Sequence, residues 1–284
     1  GRCAQGRPVT GSARRVPEYF CRSDAFGIPV FFSWREGGFK REMLRNNELT
    51  GRIFFENENK ELIRLKNRTA KKYLNTRMKF PQVSADLSVR WCSAYLKIDV
   101  AAAAIRNQKR FQGIKTLVIT GERGEESSAR AKYEIFEPHR TDLRNGKVKR
   151  HVDHFRPIRD WKEMQVWKII ERFRVRPHPA YLMGFSRVSC MKCIFGNADQ
   201  FASVNLIDPC GTKIITEFEV QFGITIKRKE SVVDLIKKGS PYKSITKELL
   251  QLAMSDAYNL PMILPLDEQW ELPAGAFGDS CGPS

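Results

Sequence analysis

Apolar residues recur along the chain in two patterns, short continuous runs and helical spacing, and their alternation predicts a mixed α/β protein. Residues Ile28–Trp34 are rich in aromatic and β-branched side chains and predict a strand. The run Leu117–Ile119 is typical of a buried parallel strand. Leu87–Gln108 carries apolar residues at threes and fours and predicts a helix. A further helix is predicted from Asp160, with Glu163 completing a capping box.

The last third of the chain is predicted to be helical and then extended. Helices are predicted at Asp199–Phe222, with an interruption near Pro209–Gly211, and at Ser231–Lys238 and Ser244–Met254. From Pro261 onward, Pro, Gly and acidic residues predict an extended tail. We therefore divide the chain into an atypical disordered arm (1–15), an α/β core (16–200) with a basic excursion (57–79), and a helical C-terminal region with its tail (201–284).

The segment Lys115–Arg130 (KTLVITGERGEESSAR) is the first candidate for a binding site. Its strand ends at Gly121 and enters a polar stretch, as strands do at the ligand-binding edge of an α/β sheet. Arg123 and Arg130 suit an anion, because guanidinium groups match phosphate or sulfate oxygens in pairs. The alternative is a solvated turn in which Glu126 and Arg130 form an i,i+4 pair.

The charge balance favours an anionic partner. The chain has 49 Lys and Arg against 32 Asp and Glu, a formal net charge of +17. Such an excess fits nucleic acid or a nucleotide, although a basic protein without such a partner is the alternative. The excursion at 57–79 is either a solvated loop or a surface that follows a phosphate backbone.

The sequence shows no sign of a membrane segment. No apolar run approaches the ~20 residues that a membrane-spanning helix needs. No apolar signal segment stands at the N-terminus. We therefore expect a cytoplasmic protein without a membrane partner.

Seven cysteines, an odd number, argue against a disulfide framework in such a chain and favour a metal site or reactive thiols. Cys190 and Cys193 form a CxxC pair, and two thiolates at this spacing suit one corner of a tetrahedral metal site. The alternative is that both are reduced, buried thiols without a metal.

Four segments in a fixed order resemble a known family. They are Val89–Val100 (VRWCSAYLKIDV), Lys115–Arg130, His154–Ile170 (HFRPIRDWKEMQVWKII) and Pro177–Asn197 (PHPAYLMGFSRVSCMKCIFGN). The chain resembles the phosphoadenosine phosphosulfate (PAPS) reductase family, over roughly residues 20–280. That family belongs to the adenine-nucleotide alpha-hydrolase, or PP-loop ATP pyrophosphatase, group, which also includes sulfurtransferase-type enzymes that modify DNA. The resemblance implies an open, mostly parallel sheet flanked by helices.

The resemblance implies an enzyme of sulfur transfer or reduction that binds ATP or adenylyl sulfate. A branch that sulfur-modifies DNA, by phosphorothioation, would explain the basic balance. The implied partners are an adenine nucleotide, DNA or RNA, and a sulfur donor such as a cysteine desulfurase.

The resemblance also implies the site residues. The phosphate end of the adenylate pocket would be formed by Gly121, Arg123, Glu125, Ser127 and Arg130. Arg123 and Arg130 would neutralise charge as a phosphate bond breaks. Arg90 and Lys97 would add cations from the neighbouring helix, Lys97 as a catalytic residue, and Arg156 would close the pocket.

A [4Fe–4S] cluster or zinc is implied by some family members. In those members, cysteines at the helix pair with a later CxxC, which here corresponds to Cys92 with Cys190 and Cys193. Those members carry two adjacent cysteines at the helix, whereas Trp91 precedes Cys92 here. The fourth ligand is therefore open, and Cys210 is the leading candidate.

Three further residues bear on this chemistry. Cys21 is a second candidate for the fourth ligand, and zinc would also accept His178. Cys281 resembles the mobile C-terminal cysteine of PAPS reductases, but its neighbours do not match that motif.

The chain departs from the family in one respect. The Ser-Gly-Gly-x-Asp-Ser loop that binds nucleotide after the first strand is not found, and neither Gly6–Gly11 nor Gly37–Gly38 fits it. We expect a member whose N-terminal strand, loop and helix are missing or replaced, with enzyme activity implied for the family. The alternative is a truncated, non-catalytic relative that binds nucleic acid or another partner.

Overall fold

The computed structural model describes residues 26–67, 71–255 and 259–278. The predicted arm (1–15), Cys21 and Cys281 lie outside these ranges. Within them the chain forms two compact units: residues 31–161, and residues 162–278 together with the short segment 26–30. In the described part of the chain, no helix combines the length and apolar character needed to cross a membrane.

A three-stranded antiparallel sheet begins the first unit. Its strands are β1 (Ser33–Arg35), β2 (Ile53–Glu56) and β3 (Leu62–Arg64), in the order β1-β2-β3. The helix α1 (Gly38–Met43) lies between β1 and β2 in the chain. Of the predicted strand Ile28–Trp34, only Ser33 and Trp34 belong to β1, which ends one residue later at Arg35. The strand is therefore shorter than the β propensity of this stretch suggests.

A long helical segment follows. It comprises α2 (Trp91–Ser93), a π-helical segment (Ala94–Ile98) and α3 (Asp99–Arg106), which succeed one another without a break. This confirms the helix predicted at Leu87–Gln108. Trp91 is fully buried, and α3 packs against β1 and β2, so this segment covers one face of the first sheet.

The second sheet combines one parallel and one antiparallel pair. Its strands are β4 (Lys115–Ile119), β5 (Phe136–Pro138) and β6 (His151–Phe155), in the order β4-β6-β5. β4 runs parallel to β6, with Ile119 opposite Phe155, and β5 runs antiparallel to β6. Short 3₁₀ turns lie at Lys71–Tyr73, Lys109–Phe111, Gly124–Glu126 and Arg130–Lys132.

The mixed α/β class is confirmed, but the open, mostly parallel sheet is not found among the described residues. There the strands form two small sheets, and β4 with β6 is the one parallel pair. β4 is also not buried on both faces, since Leu117 is 49% and Ile119 61% exposed. The apolar run that predicts a strand buried on both faces thus has one face in solvent.

The second unit is helical. Its helices are α4 (Glu163–Arg172), α5 (Pro179–Leu182), α6 (Ala198–Ile207), α7 (Pro209–Phe222), α8 (Val232–Lys238) and α9 (Lys247–Met254). Asp208 lies between α6 and α7 and accepts a hydrogen bond from the Gly211 amide (2.9 Å), which confirms the interruption predicted near Pro209–Gly211. Ser231 and Thr246 cap α8 and α9. The core of this unit includes Met183, Phe185 and Val204.

The predicted start of α4 is wrong. The helix begins at Glu163, with Lys162 as N-cap and Gln165 in the capping box. Asp160 instead forms an ion pair with the preceding Arg159. Asp160 and Glu163 have the spacing of a capping box, but the backbone turns at Ile158–Trp161 and enters the helix two residues later.

Candidate functional site

The carboxyl ends of β4 and β6 lie at one edge of the second sheet, because the two strands are parallel. Thr120 and the segment Gly121–Arg130, here named the arginine loop, follow β4 directly. Arg156 follows β6. Ligands of open α/β sheets bind at this edge.

A closed ring of hydrogen bonds joins the two strand ends. Arg156 Nε donates to Glu122 Oε2 (2.7 Å), and the same oxygen accepts from Thr120 Oγ1 (2.9 Å). His154 Nε2 lies 2.8 Å from Thr120 Oγ1, and Arg156 Nη2 lies 2.9 Å from His154 Nδ1. The ring ties the first residues of the arginine loop to β6.

The ring determines the protonation of His154. A guanidinium can only donate, so His154 Nδ1 must accept from Arg156 and carry no proton. Thr120 donates to Glu122, so its oxygen accepts from Nε2–H of His154. Burial, and next the charge of Arg156, lower the pKa of His154. His154 is therefore neutral, with its proton on Nε2.

Arg156 is 5% exposed, and its guanidinium binds groups of the protein. Besides Glu122 and His154, it donates to the Glu134 carbonyl (2.7 Å) and pairs with Glu137 Oε1 (2.8 Å). Burial raises the pKa of Glu122, but the hydrogen bonds from Arg156 and Thr120 outweigh it and leave that pKa lowered. These contacts make Arg156 a residue that positions the arginine loop.

Arg123 and Arg130 converge on one carboxylate. Glu126 Oε1 faces Arg123 Nε at 3.8 Å, and Glu126 Oε2 forms an ion pair with Arg130. Arg123 Nη1 also pairs with Glu125 Oε2 at 2.8 Å. The Glu126–Arg130 pair predicted by the alternative interpretation is thus present, and it brings the two arginines together.

Contacts on both sides of Arg123 fix the shape of the loop. Glu122 is bound by Arg156, and the Gly124 amide donates to the Arg159 carbonyl (2.7 Å). A Cβ at Gly124 would lie 3.3 Å from that carbonyl oxygen and from Ala131 Cα, so a side chain has little room there. Ser127 Oγ accepts from the Arg130 amide (3.2 Å). Arg123 therefore projects from a segment held at both ends, which lowers the cost of ordering it around a ligand.

The other two predicted cations, Arg90 and Lys97, lie at or in the long helical segment that starts with α2. Arg90 directly precedes α2, where its amide donates to the Asp86 carbonyl (3.0 Å). Lys97 is exposed in the π-helical segment.

The predicted site residue Gly121 begins the arginine loop. A Cβ at this position would make an ordinary contact with Ile158 at 3.6 Å.

The four predicted metal ligands are divided between the units. Cys92 lies on α2, whereas Cys190, Cys193 and Cys210 belong to the second unit. An ion pair between Lys192 and Asp208 ties the CxxC segment to the start of α7, where Cys210 lies. Among the residues described, however, no three His, Cys, Asp or Glu side chains are grouped so as to hold a metal ion. The four-cysteine set therefore gains no support as a cluster or zinc site.

Sequence reasoning missed Thr120, Glu122, Glu137, His139 and His154. At or just beyond each strand end stand two polar residues at i and i+2, the spacing that puts side chains on one side wherever the chain stays extended. The pairs are Thr120 and Glu122, His154 and Arg156, and Glu137 and His139. This alternation is readable in the sequence once the strand ends are known.

Acid is expected to destabilise the first unit through His139. Burial, then the nearby His154 and Arg140, lower the pKa of His139 from 6.5 to about 4. Below pH 6.5 the unfolded chain binds a proton at His139, whereas the folded chain does so only near pH 4. The free energy of unfolding is therefore unaffected by His139 above pH 6.5 and falls as the pH drops from 6.5 towards 4. Because His139 is partly exposed, solvent reduces this effect, and we expect a loss of about 1 kcal/mol between about pH 7 and about pH 5.

Denaturant unfolding at several pH values tests this, with His139→Gln as the comparison. The variant should lose clearly less stability over the same range, although His154 leaves part of the slope in place. A variant with the same slope as the wild type would show that His139 is not the group responsible.

Comparison with known proteins supplies the family. The profile of the phosphoadenosine phosphosulfate reductase domain matches residues 53–195, which include both strand ends, the arginine loop and the CxxC pair. The chain belongs to this family, as the four motifs predicted.

One curated relative is similar over part of its length. It is the "uncharacterized 37.8 kDa protein in gpa 5′ region" of Escherichia phage 186, which is 32% identical over 126 residues. The match covers 44% of this chain and 35% of the phage protein, so the chain spans about a third of that relative. No solved structure matches the chain.

Proposed function

We propose that the arginine loop binds the phosphate or sulfate end of an adenine nucleotide or adenylyl sulfate. In this proposal the protein acts in sulfur transfer or reduction on such a nucleotide. Support comes from membership of the PAPS reductase family and from the position of the loop at the carboxyl edge of a parallel strand pair.

The observation that carries the proposal is the placement of Glu126 between two guanidinium groups. Its oxygens face Arg123 and Arg130 respectively, as two oxygens of a phosphate or sulfate would. Glu126 and Glu125 are partly exposed, and ion pairs in such positions contribute only about 0–1 kcal/mol. A doubly charged anion can therefore displace these carboxylates at small cost.

The residues have distinct roles in this proposal. Arg123 and Arg130 bind the anion and oppose the charge that develops when a phosphate bond breaks. Gly121 leaves space for close approach of the ligand, and Ser127 holds the Arg130 amide. Arg90 and Lys97 add positive charge. Arg156, with Glu122 and His154, positions the loop.

Binding of adenosine, AMP and adenylyl sulfate to the unmodified chain tests the proposal. Since the arginines recognise the anion, AMP and adenylyl sulfate should bind at least about tenfold more tightly than adenosine. The difference should shrink as salt is added, because the loop is partly exposed. Equal affinity for adenosine and AMP in titration calorimetry, or no binding of either anion, would contradict it.

A further inference from the structure

The first sheet presents an aromatic row on the face opposite its buried side. Phe55 is 1% exposed and marks the inner face. Trp34, Phe54 and Arg64 are register partners across β1, β2 and β3, so all three lie on the other face. The rings of Trp34 and Phe54 are parallel to within 3°, with centroids 5.6 Å apart, and Arg64 lies over Phe54 at 5.5 Å.

A second group of rings and cations adjoins this row. Glu56 lies two residues after Phe54, on the same face, and binds Lys60 Nζ at 3.6 Å. Lys60 in turn lies 4.2 Å from the centre of the Phe31 ring, and Arg110 lies 4.6 Å from it. Leu62, the register partner of Glu56, is 55% exposed. The face thus carries the Trp34 and Phe54 rings, with Arg64 over one of them and Lys60 held nearby by Glu56.

The charge around this face is mainly positive. Arg52 lies just before β2 and Lys66 just after β3, each two residues from Phe54 and Arg64 respectively, against the acids Glu36 and Glu56. Further exposed lysines of the basic excursion are Lys71, Lys72 and Lys79. The whole chain carries +17. A partner for this face should be both polyanionic and able to stack flat rings.

We infer that this face, named here the aromatic face and made by Trp34, Phe54, Arg64 and Lys60, binds single-stranded nucleic acid. Bases stack on the Trp34 and Phe54 rings when Arg64 moves aside, and Arg64 and Lys60 then contact phosphates. Single strands expose the faces of their bases, whereas a duplex hides them. The inference does not depend on the nucleotide site at the arginine loop.

Fluorescence anisotropy with a labelled oligothymidylate of about 20 nucleotides tests the inference. An abasic oligonucleotide of the same length carries the same phosphate charge without bases and separates stacking from charge. The wild type should bind the thymidylate at least about tenfold more tightly than the abasic strand. Trp34→Ala combined with Phe54→Ala should remove that preference.

Two further variants keep the result interpretable. Trp34→Leu combined with Phe54→Leu keeps an apolar cross-strand pair without flat rings and should lose the preference, which separates stacking from loss of the pair that supports the sheet. Lys115→Ala, which removes an exposed cation at the start of β4, should leave thymidylate binding unchanged. Equal affinity for thymidylate and abasic strands, or full preference in the folded double variant, would overturn the inference. A loss in Lys115→Ala equal to that in the aromatic variant would likewise overturn it.

Discussion

Replacing Glu42 with alanine is expected to lower the stability of the 31–161 unit by about 4 kcal/mol. Glu42 lies on α1, is 1% exposed, and its Oε1 accepts from Arg45 Nη2 (3.1 Å) and Arg77 Nη2 (2.9 Å). Its other oxygen accepts from Thr50 Oγ1 (2.9 Å), which also binds the buried Arg35. Removal of the carboxylate would leave three buried guanidinium groups facing one another.

The pKa of Arg35 indicates how costly this burial already is. Burial lowers that pKa, and the charge of Glu42 is the largest influence that opposes it. The aromatic rings of Trp91 and Tyr95, each 4.6 Å from the Arg77 guanidinium, also stabilise that cation, but they cannot replace a negative charge. The loss should therefore approach that of a broken buried ion pair.

Hydrogen exchange of amides in β2 and α3 measures this effect, because it reports on one unit of a two-unit chain. Glu36→Ala is the matched control. Glu36 pairs with Arg41 at 2.9 Å, but both side chains are partly exposed, so its loss should cost less than about 1 kcal/mol. Similar exchange rates in the two variants would show that the Glu42 cluster does not stabilise this unit.

The sequence predicts the local elements better than their pairing. Leu117–Ile119 and Leu87–Gln108 are found as β4 and as the helical segment from Trp91 to Arg106. Their signals are periodicity and β propensity, which depend on neighbours in the chain. The sheet order β4-β6-β5 depends instead on hydrogen bonds between strands far apart in sequence. Neither propensity nor periodicity encodes that order. The mostly parallel sheet was implied by the family resemblance instead, and the described residues show one parallel pair of it, β4 with β6.

The candidate site, too, is only partly predictable from the sequence. Arg123 and Arg130 are recognisable because residue type, spacing and a preceding strand all favour an anion site. The ring that holds the loop joins Glu122 to Arg156 and Thr120 to His154, each pair 34 residues apart. Such partners become visible only when β4 and β6 are placed in parallel register. The role of Glu126 as an internal anion also needs distances that a sequence does not contain.

Removal of both loop arginines has the second large expected effect. Arg123→Ala combined with Arg130→Ala should weaken adenylyl sulfate binding about 100-fold or more, because each charge-assisted contact contributes about 1.5–3 kcal/mol. The fold should survive, since Arg123 and Arg130 lie on a loop and their ion pairs involve partly exposed carboxylates.

Two variants control for charge and for competition. Lys115→Ala removes a cation from the opposite end of the same strand and should leave affinity unchanged. Glu125→Gln removes a carboxylate that pairs with Arg123 at 2.8 Å and should strengthen binding, because the anion no longer competes with it. Weaker binding in Glu125→Gln would mean that this carboxylate contacts the ligand instead of competing with it.

Titration calorimetry of adenylyl sulfate into the wild type and the Arg123→Ala/Arg130→Ala variant tests the central claim most directly. The account predicts binding to the wild type and a loss of about 100-fold or more in the variant, with Lys115→Ala unaffected. Equal affinity in the folded double variant and the wild type would contradict it, since the anion would then be bound somewhere other than the arginine loop.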